Sequence, residues 1–454
     1  MKPLPCQFWR AVGFAFVITT GAAAQSPVAA VGGPIRALAN NHIVVAESPD
    51  PATTALYTPS IVALPGGRLV ASHTQTNRIE KHGQTFILTS DDGGRTWTRR
   101  AASPTNQGRL FLAGDSVYYL ATRFYVRPGS NPKGEPLCIQ RSPDRGETWS
   151  DPVNLDARTW HQTAANTWRA RGHVYLVTER LTVDNIRSWY VGALAPVLMR
   201  GQETDDLTRP AAWTYASELT FQDLIPGYRE NKLQIDFFGV PFYPQSFPRG
   251  TPIGRGENFP PLGWLETNVV QIVDPNHVWY DPQGRTFHLL ARAHTGLTNY
   301  AALAKVTENA DGTMTTALEK VPSGKTMLFL PLPGGHMRFH VVYDVPSKLY
   351  WMVGSQSTDS MTRIERLPAD RYGRPDNERN RMVLHFSRNL VDWCFAGLVA
   401  AGATGKESRH YASMDIDGDD LVVLSRSGDT RASSAHDGNL ITLHRVRDFR
   451  ALVY

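Results

Sequence analysis

The chain has 454 residues, 41% of them hydrophobic and 20% charged, with 37 Gly, 31 Pro, 18 Phe, 16 Tyr and 11 Trp. This is the composition of a globular protein, and it excludes disorder, collagen and coiled coil. A net charge of +5, spread along the chain rather than gathered in a patch, excludes a nucleic-acid partner.

Residues 1–24 read as a secretory leader: Lys2 and Arg10 precede an apolar run from Ala11 to Thr20, which ends in Ala22, Ala23 and Ala24 before Gln25. That run is too short for an anchor, and no later stretch is long and apolar enough to span a bilayer. The expectation is an exported protein, periplasmic or secreted, without stable membrane insertion. Two basic residues and no acid leave with the leader, so the formal charge falls from +5 to +3. Cys6 leaves as well, and whether Cys138 and Cys394 pair is left open.

From residue 40 onward a turn is followed six times by a short β-prone run. Gly66-Gly67 precedes Arg68–Ser72, Gly114-Asp115 precedes Ser116–Leu120, and Arg171-Gly172 precedes His173–Val177. Gln283-Gly284, Pro346-Ser347 and Asp417-Gly418 open the other three, at Arg285–Leu290, Lys348–Met352 and Asp419–Leu424. Each is a hairpin signal. A lone hairpin cannot bury its apolar faces, so units recurring about every 50 residues must stack, and radial stacking gives a propeller. The expected fold is all-β: one six-bladed β-propeller over 40–454, with a Pro-, Phe- and Tyr-rich insertion at 181–265 in the third blade. The stretch Val240–Pro248 within it is punctuated by prolines and reads as irregular.

Two segments share the pattern S-x-D-x-G-x-T-W: Ser90–Trp97 and Ser142–Trp149. Asp92 and Asp144 are suited to accept backbone N–H groups across a tight turn, Gly94 and Gly146 to supply positive φ, and Trp97 and Trp149 to pack between sheets. Their carboxylates are therefore read as structural, on the outer rim. A degenerate copy runs from Ser387 to Trp393 without the glycine.

This pattern resembles the Asp-box (BNR repeat) sialidase, or neuraminidase, superfamily, whose members are six-bladed propellers with an axial active site; the resemblance covers most of the chain after the leader except the insertion. Glu266–Ile272 followed by His288–Arg292 looks like the family's catalytic-glutamate strand and its arginine-bearing partner. His410–Met414 looks like the strand that presents a nucleophilic tyrosine. The resemblance thus implies Glu266 as base, Arg292 as anion clamp and Tyr411 as nucleophile. Where the family carries the first arginine of a three-arginine clamp, this chain has Tyr57-Thr58-Pro59-Ser60. The family's general-acid aspartate has no clear counterpart, and Glu80 is the nearest acid.

In a propeller the first strand of each blade lines the axis. Those positions hold Tyr57; Asn106 and Arg109; His161 and Asn166; Glu266 and Asn268; His336, Arg338 and His340; and Arg409, His410 and Tyr411. Polar groups this numerous are costly at a core unless they serve a site. Arg292, Arg338 and Arg409 aimed at one centre would hold a carboxylate, sulfate or phosphate, unless each pairs with a nearby acid such as Glu266, Glu407 or Asp344. His73, His288 and His444 read as packed or solvated. No Cys/His cluster implies a metal, no cofactor motif is present, and Asp415–Asp420 reads as a hairpin turn rather than a Ca²⁺ loop.

Three functions follow. The first is an exo-acting glycoside hydrolase on a terminal anionic sugar, in which Glu266 takes the proton of Tyr411 and Glu80 or a pocket histidine protonates the leaving oxygen. The second is a polysaccharide lyase using Tyr411 or His161 against a uronate held by Arg338 or Arg409. The third is a non-catalytic glycan-binding propeller. In each the partner is a glycan, with His336, His410, Tyr57, Asn166 and Asn268 joining the arginines in binding it, and the chain is expected to act as a monomer.

Overall fold

The computed structural model describes residues 35–80, 82–124, 135–161, 165–183, 190–225, 227–228, 252–254, 257–258, 262–294, 299–358 and 378–454. The expected leader and the irregular stretch 240–248 lie outside the described residues. Helix among the described residues is confined to short turns such as Phe221–Leu224, so the chain is all-β.

Each of the six apolar runs forms a strand, and each follows a tight turn. Gly66 and Gly67 (φ +88° and +84°), Gly114, Gly172, Gly284 and Gly418 take the left-handed backbone that such turns demand, and Lys348 does so without being glycine. The first sheet comprises Thr54–Leu64, Arg68–Asn77, His82–Ser90 and Thr98–Ser103. Next in the chain is an eight-stranded sheet. It runs through Thr105–Ala113, Ser116–Arg123, Glu135–Ser142 and Val153–Trp160 into His173–Leu181, Leu194–Gln202 and Trp213–Tyr215, with Thr167–Ala170 paired to His173–Leu181. A five-stranded sheet follows, built on Gly263–Val270, Thr286–His294, Tyr300–Glu308 and Met314–Ala317, with Phe329–Pro331 added. Then come His340–Asp344, Leu349–Ser355, Arg381–Ser387 and Cys394–Ala401. The last sheet comprises Arg409–Asp417, Asp420–Ser427 and Leu440–Val446, and its outer strand is Ile43–Glu47 from the start of the chain.

Four of these sheets are single up-and-down meanders arranged as in a propeller. Where six separate blades were expected, the described strands from Thr105–Ala113 to Trp213–Tyr215 form one continuous sheet, because Arg180 pairs across Trp160 and joins two meanders at a single position. Within the stretch expected as an insertion, Leu194–Gln202 and Trp213–Tyr215 are antiparallel strands of that sheet, and Pro196 sits in the ladder opposite Glu179.

The first strands of the sheets are tied directly to one another by polar side chains. Leu110 N–H donates to Ser60 Oγ (2.9 Å), Val341 N–H to Asn268 Oδ1 (3.1 Å) and Ala63 N–H to Asp415 Oδ2 (2.8 Å). Asn166 spans two strands, donating to Val269 O (2.8 Å) and Val341 O (3.0 Å). Apolar contacts also join the sheets: the Tyr175 and Phe287 rings lie 4.1 Å apart, and Gly263–Val270 is buried along its whole length. A strand with sheets packed on both faces needs apolar residues at successive positions, which is why these runs lack simple alternation.

The two S-x-D-x-G-x-T-W segments fold alike. Asp92 Oδ1 accepts from Thr96 N–H (2.9 Å) and Asp144 Oδ1 from Thr148 N–H (2.9 Å), while each Trp Nε1 donates to the carbonyl of its own glycine, Gly94 (2.9 Å) or Gly146 (3.1 Å). In the third copy Leu390 adopts φ +64° where glycine is missing, and Trp393 Nε1 still donates to its carbonyl (3.1 Å). Cys138 and Cys394 lie in different sheets and are not bonded. Asp417 and Asp420 both pair with Arg445 (2.8 and 3.1 Å). Among the described residues no helix is long and apolar enough to cross a membrane.

Candidate active site

Four first strands carry the same irregularity. The register slips between Tyr57 and Ser60, Asn106 and Arg109, Leu265 and Asn268, and His410 and Ser413. At each slip a non-glycine residue takes positive φ: Thr58 (+46°), Gln107 (+52°), Glu266 (+57°) and Tyr411 (+48°). Such a bulge re-aims the side chain at its tip, and each non-glycine left-handed residue stores roughly 1–3 kcal/mol of strain. Glu266 and Tyr411, identified from different parts of the sequence, are thus the tips of equivalent bulges.

Arg292 joins them. Its Nη1 donates to Tyr411 Oη (2.8 Å) and pairs with Glu266 Oε2 (3.2 Å), while its Nε donates to His336 O (2.8 Å). All three side chains are at least nine-tenths buried. Arg292, rather than a direct bond between phenol and carboxylate, links the pair. Two arginines absent from the sequence reading complete the surround. Arg379 stands 4.9 Å from the Tyr411 ring centroid with Nη1 3.1 Å from His410 Nδ1, and Arg426 stands 5.2 Å from the same ring and 4.2 Å from that of Tyr57. Burial alone would raise the pKa of the Tyr411 phenol; the charges of Arg292, Arg379 and Arg426 outweigh it against Glu266, and the net shift is downward.

Glu80 is exposed on a hairpin tip and pairs with His82 (3.1 Å). The four pocket histidines are buried. Burial pushes His161 down to about 3; for His336 burial together with Arg292 and Arg379, and for His340 burial together with Arg338 and Arg109, do the same. His410 is driven well below its ordinary value by burial, Arg379 and Arg426. All four are neutral near pH 7. Among the acids near this cluster Glu179 is buried, with Oε1 accepting from Thr267 N–H (3.0 Å) and Oε2 unbonded. Desolvation, reinforced by Glu266, raises its carboxyl to about 8. It lies on a second strand, His173–Leu181, outside the first-strand positions that the axial argument inspected; an acid inside an apolar run was the available signal.

Other expected site residues have different duties. The Asn166 amide and Asn268 amide are engaged with neighbouring backbones, Asn268 Nδ2 donating to Phe339 O (3.1 Å). Arg409 Nη1 donates to Ser408 O (2.6 Å) and Gly428 O (2.8 Å) and so ties its own strand end. Arg109 donates to the carbonyls of Asn166 and Val177 and supports the strand of Glu179. His161 packs edge-on against Tyr190 (4.9 Å), and Tyr57 Oη donates to Asp437 (2.7 Å). Arg338 differs from all of these. It is buried, its Nε is unbonded, its Nη2 reaches only Pro59 O at 3.5 Å, and it faces Glu266, Tyr411 and Glu179 electrostatically. A cavity of about 710 Å³ abuts the cluster, with Arg379 and His436 in its wall. Among the described residues no group of three or more His, Cys, Asp or Glu could hold a metal ion.

No family model and no curated protein sequence matches the chain. Among solved structures, a protein of unknown function from Dyadobacter fermentans has a TM-score of 0.50 at 11% identity, covering 90% of this chain and 98% of its own. An α-L-arabinanase from Penicillium chrysogenum, complexed with arabinobiose, has 0.49 at 13%, covering 91% and 99%. Trypanosoma rangeli sialidase, in complex with sialic acid, has 0.45 at 13%, covering 92% and 59%. The first of these likenesses bears on the fold.

Proposed function

We propose that the chain is an exported, sialidase-like glycoside hydrolase that removes a terminal anionic sugar. In this reading the eight-stranded sheet supplies two blades of a six-bladed propeller, and the S-x-D-x-G-x-T-W turns are its Asp boxes. The observation that carries the chemistry is the buried Tyr411 ringed by three guanidiniums and bridged to Glu266 by one of them. A phenol is a poor nucleophile near its ordinary pKa of about 10. Cations that lower that value, with a carboxylate nearby to receive the proton, are the means of activating it.

Tyr411 Oη would attack the anomeric carbon as its proton passes to Glu266. Glu179, still protonated near neutrality, would give its proton to the departing glycosidic oxygen. A water deprotonated by the Glu179 carboxylate would then cleave the glycosyl-tyrosine bond while Glu266 gives its proton back to the departing Tyr411 oxygen, restoring both residues with overall retention. Arg338, lacking a carboxylate partner, would bind the anionic group of the sugar, where a bidentate guanidinium is most effective.

Elimination on a uronate is the second reading, because a tyrosine of lowered pKa could also abstract a proton from carbon. Wild type and Tyr411→Phe should be screened against sialylated, uronate-containing, sulfated and neutral glycans. Hydrolysis of one acidic glycan, lost in the variant, supports the proposal. An unsaturated, ultraviolet-absorbing product favours elimination, and activity retained by Tyr411→Phe overturns both.

A further inference from the structure

Among the described residues Arg426 has no carboxylate in direct contact. Its guanidinium sits between the rings of Tyr57 and Tyr411, and its Nη2 donates to the backbone carbonyl of His436. His436 is fixed in turn by its neighbour, with Nδ1 2.8 Å from Asp437 Oδ1. An ionised carboxylate only accepts, so Nδ1 carries the ring proton, and the 3.2 Å approach of Arg426 Nη2 to that nitrogen is a contact between two donors. The carbonyl is therefore what anchors Arg426. The same Asp437 oxygen accepts from Tyr57 Oη (2.7 Å), while Asp437 Oδ2 faces Arg78 Nη1 at 3.4 Å. Tyr57 belongs to the first sheet and Arg78 immediately follows its second strand; Arg426 belongs to the last sheet and Asp437 to the connection between two of its strands.

We propose that Asp437 is a positioning residue for Tyr411: by fastening Tyr57 and His436 across the seam between the first and last sheets, it holds the Arg426 guanidinium against the Tyr411 ring. The significance of that placement for catalysis rests on the role proposed for Tyr411; the placement itself does not. The groups facing Tyr411 are Arg292, Glu266, Arg379, His410, Arg338 and Arg426. Asp437 acts on it through Arg426.

The sign of the effect separates positioning from plain electrostatics. Removing a negative charge stabilises a nearby phenolate and lowers the phenol pKa; releasing Arg426 raises it. The full-length protein is titrated by tyrosinate ultraviolet absorbance, and subtracting the matching Tyr411→Phe protein isolates Tyr411. Asp437→Ala should move its ionisation upward by about one pH unit, roughly a tenfold loss of phenolate at a given pH. Asp437→Asn keeps an oxygen for Tyr57 and His436 and should restore most of that shift. An Asp437→Ala titration at or below the wild-type position overturns the proposal. If that variant fails to fold, Tyr57→Phe, which keeps the ring under Arg426 and removes only the bond to Asp437, must show an upward shift, and its absence is equally decisive. No substrate enters the titration, so a Tyr411→Phe enzyme that stays active would refute the functional reading while leaving this result standing.

Discussion

Replacing Glu179 with glutamine tests the proton donor without knowledge of the substrate. The carboxyl ionises at about 8 in the folded chain against an ordinary 4.5, because it is desolvated and lies beside Glu266. Between those values the folded protein binds one proton more than the unfolded chain. Stability must therefore fall with rising pH by about 1.4 kcal/mol per unit, on the order of 5 kcal/mol across the window. The contribution is fully present below the unfolded value and is lost as pH rises through the folded one. Glutamine has the same shape and no proton to lose. Urea unfolding of wild type and Glu179→Gln at a series of pH values should show the variant gaining on the wild type steadily from about pH 5 to pH 8. A difference that does not change with pH would mean that Glu179 is already ionised in the native state, and the assignment of the acid would fail. With an active substrate the variant should lose roughly 10²–10⁴ in rate and the basic limb of its pH profile, and it should recover on a substrate whose leaving group needs no proton.

Arg338→Met should raise KM for the acidic glycan by roughly 30- to 150-fold, the worth of about 2–3 kcal/mol for charge-assisted hydrogen bonds. It should not lower thermal stability, because a buried guanidinium without an anionic partner is relieved of desolvation; a fall in Tm with unchanged KM would assign Arg338 to structure. Thr58→Gly should stabilise the protein by about 1 kcal/mol in chemical denaturation, since glycine adopts the φ of +46° without strain, and loss of stability there would show that the threonine side chain outweighs the backbone. Asp144→Ala removes the acceptor of Thr148 N–H in an exposed turn. It should reduce Tm while leaving kcat per folded molecule unchanged, and a selective loss of kcat would place the turn in the chemistry.

Turn residues and apolar runs are local signals, and they sufficed for the six second strands and the matched Asp92 and Asp144 turns, whereas Glu266, Arg292 and Tyr411 were singled out only through the resemblance of their strands to a known family. Local signals cannot count sheets, because whether two meanders stay separate or fuse is decided by one pair, Arg180 opposite Trp160, whose partners are remote in the chain. Nor can they find a bulge, since Glu266 and Tyr411 reach left-handed φ through a slip in register against another strand. Glu80 attracted attention by proximity in sequence, whereas the Glu179 carboxyl is shifted upward only through burial beside Glu266. Arg426 ends a run that reads only as a strand and Arg379 precedes one, and the two meet only around the Tyr411 ring. Residue order sets backbone preference and hydrophobic pattern over a few positions; desolvation and the convergence of charge depend on distances between strands that exist only once the sheets have packed.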